Sequence, residues 1–233
     1  MPNPNIQINR KHTVNEHYFD EIITEHQAYW LGFLWADGNI SKTAKRCAGT
    51  NRITLAQKVD EIEHLQKFQK DLCSDYPIVT KPRLRNHLIS TLYINSRPLC
   101  MRLEGLGFTT KDNRTAIPNI SQNLIHHFIR GYFDGDGCLS IYVQNVKNKW
   151  FINKQELSFT GNPVFIKNLK HLLEQKTDVT QTVSIKTYTK TSKATSLRYG
   201  KKADVDILFH YMYDDATIYL DSKYQKFLKF YSR

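Results

Sequence analysis

The sequence of 233 residues has only four cysteines, Cys47, Cys73, Cys100 and Cys138, and no C-x-x-C pair. Their scatter points to neither a structural zinc site nor a disulfide framework. No run of 18 apolar residues occurs, so no segment has the composition of a membrane span. The first residues, Met-Pro-Asn-Pro-Asn-Ile, lack a secretory pattern. The expectation is an intracellular protein without a membrane partner, cytoplasmic or, if organelle-encoded, organellar. The largest absence is of acid. Residues 38–59, 76–103, 137–155 and 179–203 contain no Asp or Glu at all. These 94 residues carry 19 Lys and Arg, while the rest of the chain holds 14 bases and all 22 acids. The net charge of +11 is thus a +19 set of segments set against a −8 remainder. An ordinary solvated surface mixes its signs. Segregation of this kind points to one face that meets a polyanion, with nucleic acid the foremost partner.

What is present is a repeat. Residues 28–38 read Ala-Tyr-Trp-Leu-Gly-Phe-Leu-Trp-Ala-Asp-Gly, and residues 128–137 read Phe-Ile-Arg-Gly-Tyr-Phe-Asp-Gly-Asp-Gly. Each is an apolar helical run with small residues four apart, Gly32 and Ala36 in one and Gly131 and Gly135 in the other. Each ends at Asp-Gly, and Asp37 and Asp136 are 99 residues apart. Small residues at i and i+4 let two helices approach backbone to backbone. Such a crossing places Asp37 and Asp136 side by side.

The segments around these runs repeat as well. A lead-in of 1–23 holds a short helix over 15–23. Thr24 and Gln27 form a capping box, and the first motif helix runs to Asp37, with Gly38 expected in the left-handed position that ends helices. Strands follow at 39–45 and 52–57, a helix at 60–72, a hairpin of 78–84 with 88–95, and a helix from Ser96 to about Leu106. After a polar connector, 109–120, the order recurs. A capped helix spans 121–136, a hairpin 138–160, a helix 163–174, a hairpin 182–199, and helical material runs from 203 to the end. The expected fold is α+β, with two pseudo-symmetric αββαββα half-domains at 24–108 and 121–233. They pack through the two motif helices, and their antiparallel sheets form one basic saddle. The acid-free stretches coincide with the four hairpins, and a two-stranded ribbon fits the major groove of DNA.

The C-terminal end of a helix is an unfavourable place for a carboxylate, and two such ends together add repulsion. A divalent cation relieves both. Mg²⁺ takes one or two carboxylates together with waters and phosphate oxygens, and so placed it supports phosphodiester hydrolysis.

These stretches resemble the signature helices of the LAGLIDADG homing endonucleases. Residues 30–38 and 129–137 match the nine-letter motif, and element order agrees with the single-chain, two-repeat form over about residues 20–233. The resemblance implies a monomeric site-specific endonuclease that cuts both strands of a long DNA target across the minor groove, leaving short 3′ overhangs. It implies two or more divalent ions, Mg²⁺ with Mn²⁺ as a substitute, held by Asp37 and Asp136 with the adjoining Gly38 and Gly137. It also directs attention to Gln57 and Lys58 near the scissile phosphate, with Gly161 and Asn162 in the matching place. Lys111 and Lys223 are similar to the family's active-site lysines. The sixth motif position is Trp35 in one half and Asp134 in the other. For contact with DNA the hairpins offer Lys42, Arg46, Arg52, Arg83, Arg85, Gln144, Asn145, Lys147, Lys186, Tyr188, Lys190 and Arg198. The alternative on the same scaffold is a binder that does not cleave, either a regulator or an intron RNA maturase.

Overall fold

The computed structural model describes residues 11–42, 51–83, 87–147, 149–180, 184–187 and 194–231. The order is α1 (Glu25–Asp37), β1 (Asn39–Lys42), β2 (Asn51–Lys58), α2 (Ile62–Asp71), β3 (Ile78–Pro82), β4 (Leu88–Asn95) and α3 (Arg97–Gly105). The second half follows with α4 (Ile125–Asp136), β5 (Gly137–Val146), β6 (Lys149–Gly161), α5 (Pro163–Lys176), β7 (Ser184–Thr187), β8 (Thr195–Tyr199) and α6 (Lys202–Tyr213). An additional helix, α7 (Asp221–Tyr231), closes the chain. Each half carries one antiparallel four-stranded sheet, in the orders β1-β2-β4-β3 and β5-β6-β8-β7. The two orders are the same permutation, so the sequence repeat is a structural one.

α1 begins at the expected capping box: Thr24 accepts from the Gln27 N–H, and the Gln27 side chain reaches back to the Thr24 N–H. Every residue from Ala28 to Ala36 is buried, so the helix is surrounded rather than laid on a surface. α4 crosses it at backbone contact. A Cβ added to Gly32 would lie 2.0 Å from the Phe128 carbonyl oxygen, and one added to Gly131 would lie 2.0 Å from that of Tyr29. Strand alternation buries Ile53, Leu55, Leu92 and Ile94 in one sheet and Leu157, Phe159, Leu197 and Tyr199 in the other. Each sheet therefore keeps its second face open.

Buried polar bonds lock the two halves together. The Tyr29 hydroxyl donates to Asp134 Oδ2 at 2.8 Å, Tyr213 donates to Oδ1 at 2.6 Å, and the Leu220 N–H donates to Oδ2 at 2.7 Å. With the Tyr29 proton so used, His64 Nε2–H donates to the Tyr29 oxygen at 3.0 Å. Arg130, fully buried, pairs with Glu25 and donates to the carbonyls of Ile218 and Met212.

Three local expectations fail for identifiable reasons. Residues 15–23 form turns rather than a helix, held by the Asn15 N–H on the Leu72 carbonyl. α4 starts at Ile125, not Ser121, because the Ser121 hydroxyl is spent on the Asn123 side chain and caps nothing. Gly38 is extended, at φ −74°, rather than left-handed, and Gly137 is extended as well, at φ −86°. They are glycines for want of space: a Cβ on Gly137 would meet the Phe133 ring at 2.2 Å, and one on Gly38 the Leu34 carbonyl oxygen at 2.7 Å.

The buried histidines set an acid limit on this fold. Burial pushes the pKa of His64 down to about 3 and that of His127 to about 4. Both are neutral when folded but take up a proton when unfolded below about pH 6.5. Stability is therefore present above that pH and is lost as pH falls toward the folded values, by about 1–2 kcal/mol per histidine between pH 7 and pH 5. Denaturant midpoints should fall over that interval. His64→Phe, placed among Tyr29, Trp30 and Phe33, should flatten the dependence.

Candidate active site

The two motif helices converge at their C-terminal ends. A Cβ on Gly135 would lie 2.3 Å from the Ala36 Cβ and 3.6 Å from Asp37 Oδ2. Asp37 and Asp136 thus emerge next to each other at one edge of the crossing. Burial raises the pKa of the Asp136 carboxyl, Lys111 opposes that rise, and the charge of Asp37 adds to it. The Lys111 ammonium stands 3.0 Å and 2.7 Å from the two Asp136 oxygens. It occupies the position of a cation on this carboxylate.

The carboxylates are supported differently. Gln57, at the end of β2, donates from Nε2 to Asp37 Oδ2 at 2.9 Å. In the second half the matching place is Gly161, where a Cβ would lie 2.1 Å from the Tyr132 hydroxyl oxygen. That hydroxyl donates to the Thr160 carbonyl at 2.8 Å. Tyr132 replaces Phe33 of the first motif and fills the space that a Gln57-like side chain would need. A cleft of about 250 Å³ remains beside Asp136, lined by Lys111, Asp112, Thr160, Gly161 and Asn162. The inequivalence of Gln57-Lys58 and Gly161-Asn162 is thus built into the packing. Lys58 itself is exposed and does not reach the carboxylates. Asn162 caps α5 instead, accepting from the N–H groups of Val164 and Phe165.

The unfavourable helix ends are relieved by cations within the chain. Lys223 donates to the carbonyls of Phe133 and Gly137, each at 2.6 Å, and to that of Gly135 at 3.4 Å. Arg114, in the connector, donates to the carbonyls of Trp35 at 2.7 Å, Gly38 at 2.6 Å and Leu34 at 3.3 Å. Leu34 and Gly38 are the motif equivalents of Phe133 and Gly137. The structural counterpart of Lys223 is therefore Arg114, not Lys111, although the family resemblance pairs the two lysines. Lys223 lies within α7 with its three donors directed at backbone, whereas Lys111 lies in a 3₁₀ turn with its donors on Asp136. Burial pushes Arg114 down to about 10, so it stays cationic at neutral pH, and burial also lowers Lys223. Cations at these ends offset the helix dipoles that face the aspartates. Gly38 and Gly137, expected among the metal ligands, have only a carbonyl oxygen to give, and in each that oxygen faces a buried cation. The carboxylates carry the negative charge that a metal at this crossing would need. Sequence reading passed over Arg114 and Tyr132. The only signal was a basic residue inside a polar connector, and a hydroxyl on one motif helix where the other has Phe33.

Asp134, at the sixth motif position, points into the buried network described above and away from this site. Burial raises its pKa. A second polar cluster, His126, His127 and Asp215, lies at the opposite end of α4. It is ill-suited to a metal. Arg130 donates to His127 Nδ1 at 2.9 Å, which puts the imidazole proton on Nε2, the nitrogen that faces Asp215.

Among the described residues the acid-free segments fall mainly on strands of the two sheets, with residues 97–103 on α3 and 202–203 on α6. Arg52, Gln144 and Arg198 are on strands β2, β5 and β8, with Gln144 exposed; Arg83 and Lys147 are exposed at hairpin ends. Lys42, Asn145 and Lys186 lie on β1, β5 and β7. Arg46, Arg85, Tyr188 and Lys190 fall outside the described residues. Arg198 differs from the expectation of an available cation, because Nη1 contacts Glu156 at 3.2 Å.

No family model matches the sequence, and no curated protein matches it significantly. Solved structures do match in fold. A lysine-to-alanine mutant of I-SmaMI superposes with a TM-score of 0.62 at 9% identity, over 89% of this chain and 90% of its own. The LAGLIDADG meganuclease I-AabMI, bound to uncleaved DNA, gives 0.59 at 11% identity over 89% and 90%. I-CpaMI, also a LAGLIDADG meganuclease bound to uncleaved DNA, gives 0.56 at 11% over 89% and 90%. I-SmaMI has also been solved with an uncleaved target in the presence of calcium ions, and that structure gives 0.57 at 10% over 89% of both chains. The chain has the two-repeat fold of LAGLIDADG meganucleases along nearly its whole length.

Proposed function

We propose that this chain is a divalent-metal-dependent endonuclease that, as a monomer, hydrolyses both strands of a specific double-stranded DNA site. The observation that carries this reading is the pair Asp37 and Asp136 at the joined ends of α1 and α4, with the described acid-free residues mainly on the strands of the two sheets. The neighbours in fold, named above with their DNA, support the same partner.

The donor set fits a hard cation. It offers adjacent carboxylates, one with its charged form disfavoured by burial and by its neighbour, beside an open cleft. Mg²⁺ held by Asp37 and Asp136 would activate water and stabilise the oxygen that leaves phosphorus. The chain's own residues arrange the rest. Gln57 fixes the orientation of Asp37. Arg114 and Lys223 hold the two helix ends and offset their dipoles. Lys111 is the mobile cation of the site, able to pass from Asp136 to a phosphate oxygen seated in the adjoining cleft. Lys58, exposed at the end of β2, is placed for a phosphate contact. The halves thus approach the two scissile phosphates with unequal side chains, Gln57 on one side and Tyr132 with a cleft on the other.

Selection of cleaved duplexes from a randomised library in Mg²⁺ tests the reading. A single enriched site of two dissimilar half-sites, cut on both strands, is expected. Enrichment of bound but never cut duplexes would leave a DNA-binding regulator. Preference for folded RNA would point to a maturase.

A further inference from the structure

On the open face of the first sheet one arginine is already arranged to read a base. Arg52 lies on β2, an interior strand of the order β1-β2-β4-β3, and pairs across to Asn95 on β4. Its neighbours Ile53 and Leu55 alternate into the core, and Arg52, Thr54 and Ala56 alternate onto the other face. Arg52 Nε donates to Asn95 Oδ1 at 2.8 Å, and its guanidinium carbon is 5.4 Å from the centre of the Tyr93 ring. Tyr93 is the cross-strand partner of Thr54, two residues along the same face. The side chain is held at two points, and both its terminal nitrogens lack a partner among the described residues.

We infer that Arg52 is a specificity-determining residue, reading the N7 and O6 of one guanine in the half-site met by the first repeat. The inference rests on the proposed action on double-stranded DNA. Three features favour a base over a phosphate. β2 is an interior strand, with β1 and β4 on its two sides. The contact at Nε leaves the terminal pair of donors as a planar fork, the geometry that guanine's major-groove edge accepts. The orienting partner is a neutral amide, so no carboxylate offsets the guanidinium charge; on the second sheet Arg198 of β8 contacts the Glu156 carboxylate instead. Beside Tyr93 the face dips into a recess of about 260 Å³, lined by small or apolar side chains that include Thr54, Ala56, Val79 and Thr91 and also by Lys81 and Arg83.

The test uses the full chain and its selected duplex, with all four base pairs placed in turn at each position of the first half-site. Binding is measured in Ca²⁺. Wild type should favour guanine over the other bases at one position by roughly 10- to 100-fold. Arg52→Ala should flatten that position alone. Arg52→Gln should move the preference there to adenine, whose N6 and N7 suit a carboxamide. Asn95→Ala should weaken the guanine preference without moving it. A uniform loss of affinity at every sequence, with a shallower salt dependence, would make Arg52 a phosphate contact and overturn the inference. An unchanged profile in Arg52→Ala would also overturn it. If wild type binds no duplex at all, the reading of the chain as a DNA enzyme fails first and this inference falls with it; the wild-type arm separates the two cases.

Discussion

Gly131→Ala is expected to cost about 3 kcal/mol or more and to leave most of the protein unfolded or aggregated. The added Cβ would sit 2.0 Å from the Tyr29 carbonyl oxygen and 2.9 Å from the Phe33 nitrogen, both of them backbone atoms. A flexible side chain could turn aside, but a helix backbone at the centre of the molecule cannot. Ordinary overpacking of a core costs about 1–3 kcal/mol. Here the two helices that join the halves would have to separate, and the bonds that Asp134 and Arg130 make across the joint would separate with them. Gly32→Ala, facing the Phe128 carbonyl oxygen at 2.0 Å, should behave alike. Gly105→Ala provides the contrast. That glycine lies in α3 with nothing within 4 Å of an added Cβ. Its replacement should stabilise the chain by about 0.5–1 kcal/mol through helix propensity. Urea midpoints of the three variants, measured side by side, decide whether close approach or mere loss of glycine is responsible.

The fold was legible because its two determinants are local and repeated. The Asp-Gly helices and the acid-free hairpins each appear twice, and the αββαββα order of both halves follows from them. The small residues at Gly32 and Gly131 announced the crossing itself. Other features depended on contacts distant in sequence. Arg114 reaches back 76 residues to the Gly38 carbonyl, and no local pattern marks it. Lys111 and Lys223 look alike by position, yet one faces a carboxylate and the other a ring of carbonyls, because α7 returns the chain under α4. The conformation of Gly38 was misjudged for a simpler reason. A glycine after a helix suggests a left-handed turn, but here it marks a place where any side chain would strike the preceding turn. The difference between Gln57 and Gly161 was visible in sequence, whereas its cause, the Tyr132 hydroxyl, needed the packing.

The central claim is that Asp37 and Asp136 form one shared site. Asp136 sits where burial and the charge of Asp37 act against ionisation, and the chain supplies Arg114, Lys223 and Lys111 in compensation at the two helix ends. An asparagine at either position keeps the shape of the side chain but removes the charge that a divalent ion needs. Loss of an ion that both activates water and stabilises the leaving oxygen is worth several kcal/mol of barrier, so a fall in rate of about 10³-fold or more is expected. The two sheets are untouched by either change. The decisive measurement is therefore cleavage of a supercoiled plasmid carrying the selected site by Asp37→Asn and Asp136→Asn in Mg²⁺, with DNA binding followed in Ca²⁺. The account predicts that neither variant makes a double-strand break and that both bind within a few-fold of wild type. A double-strand break made at the wild-type rate by either variant would contradict it.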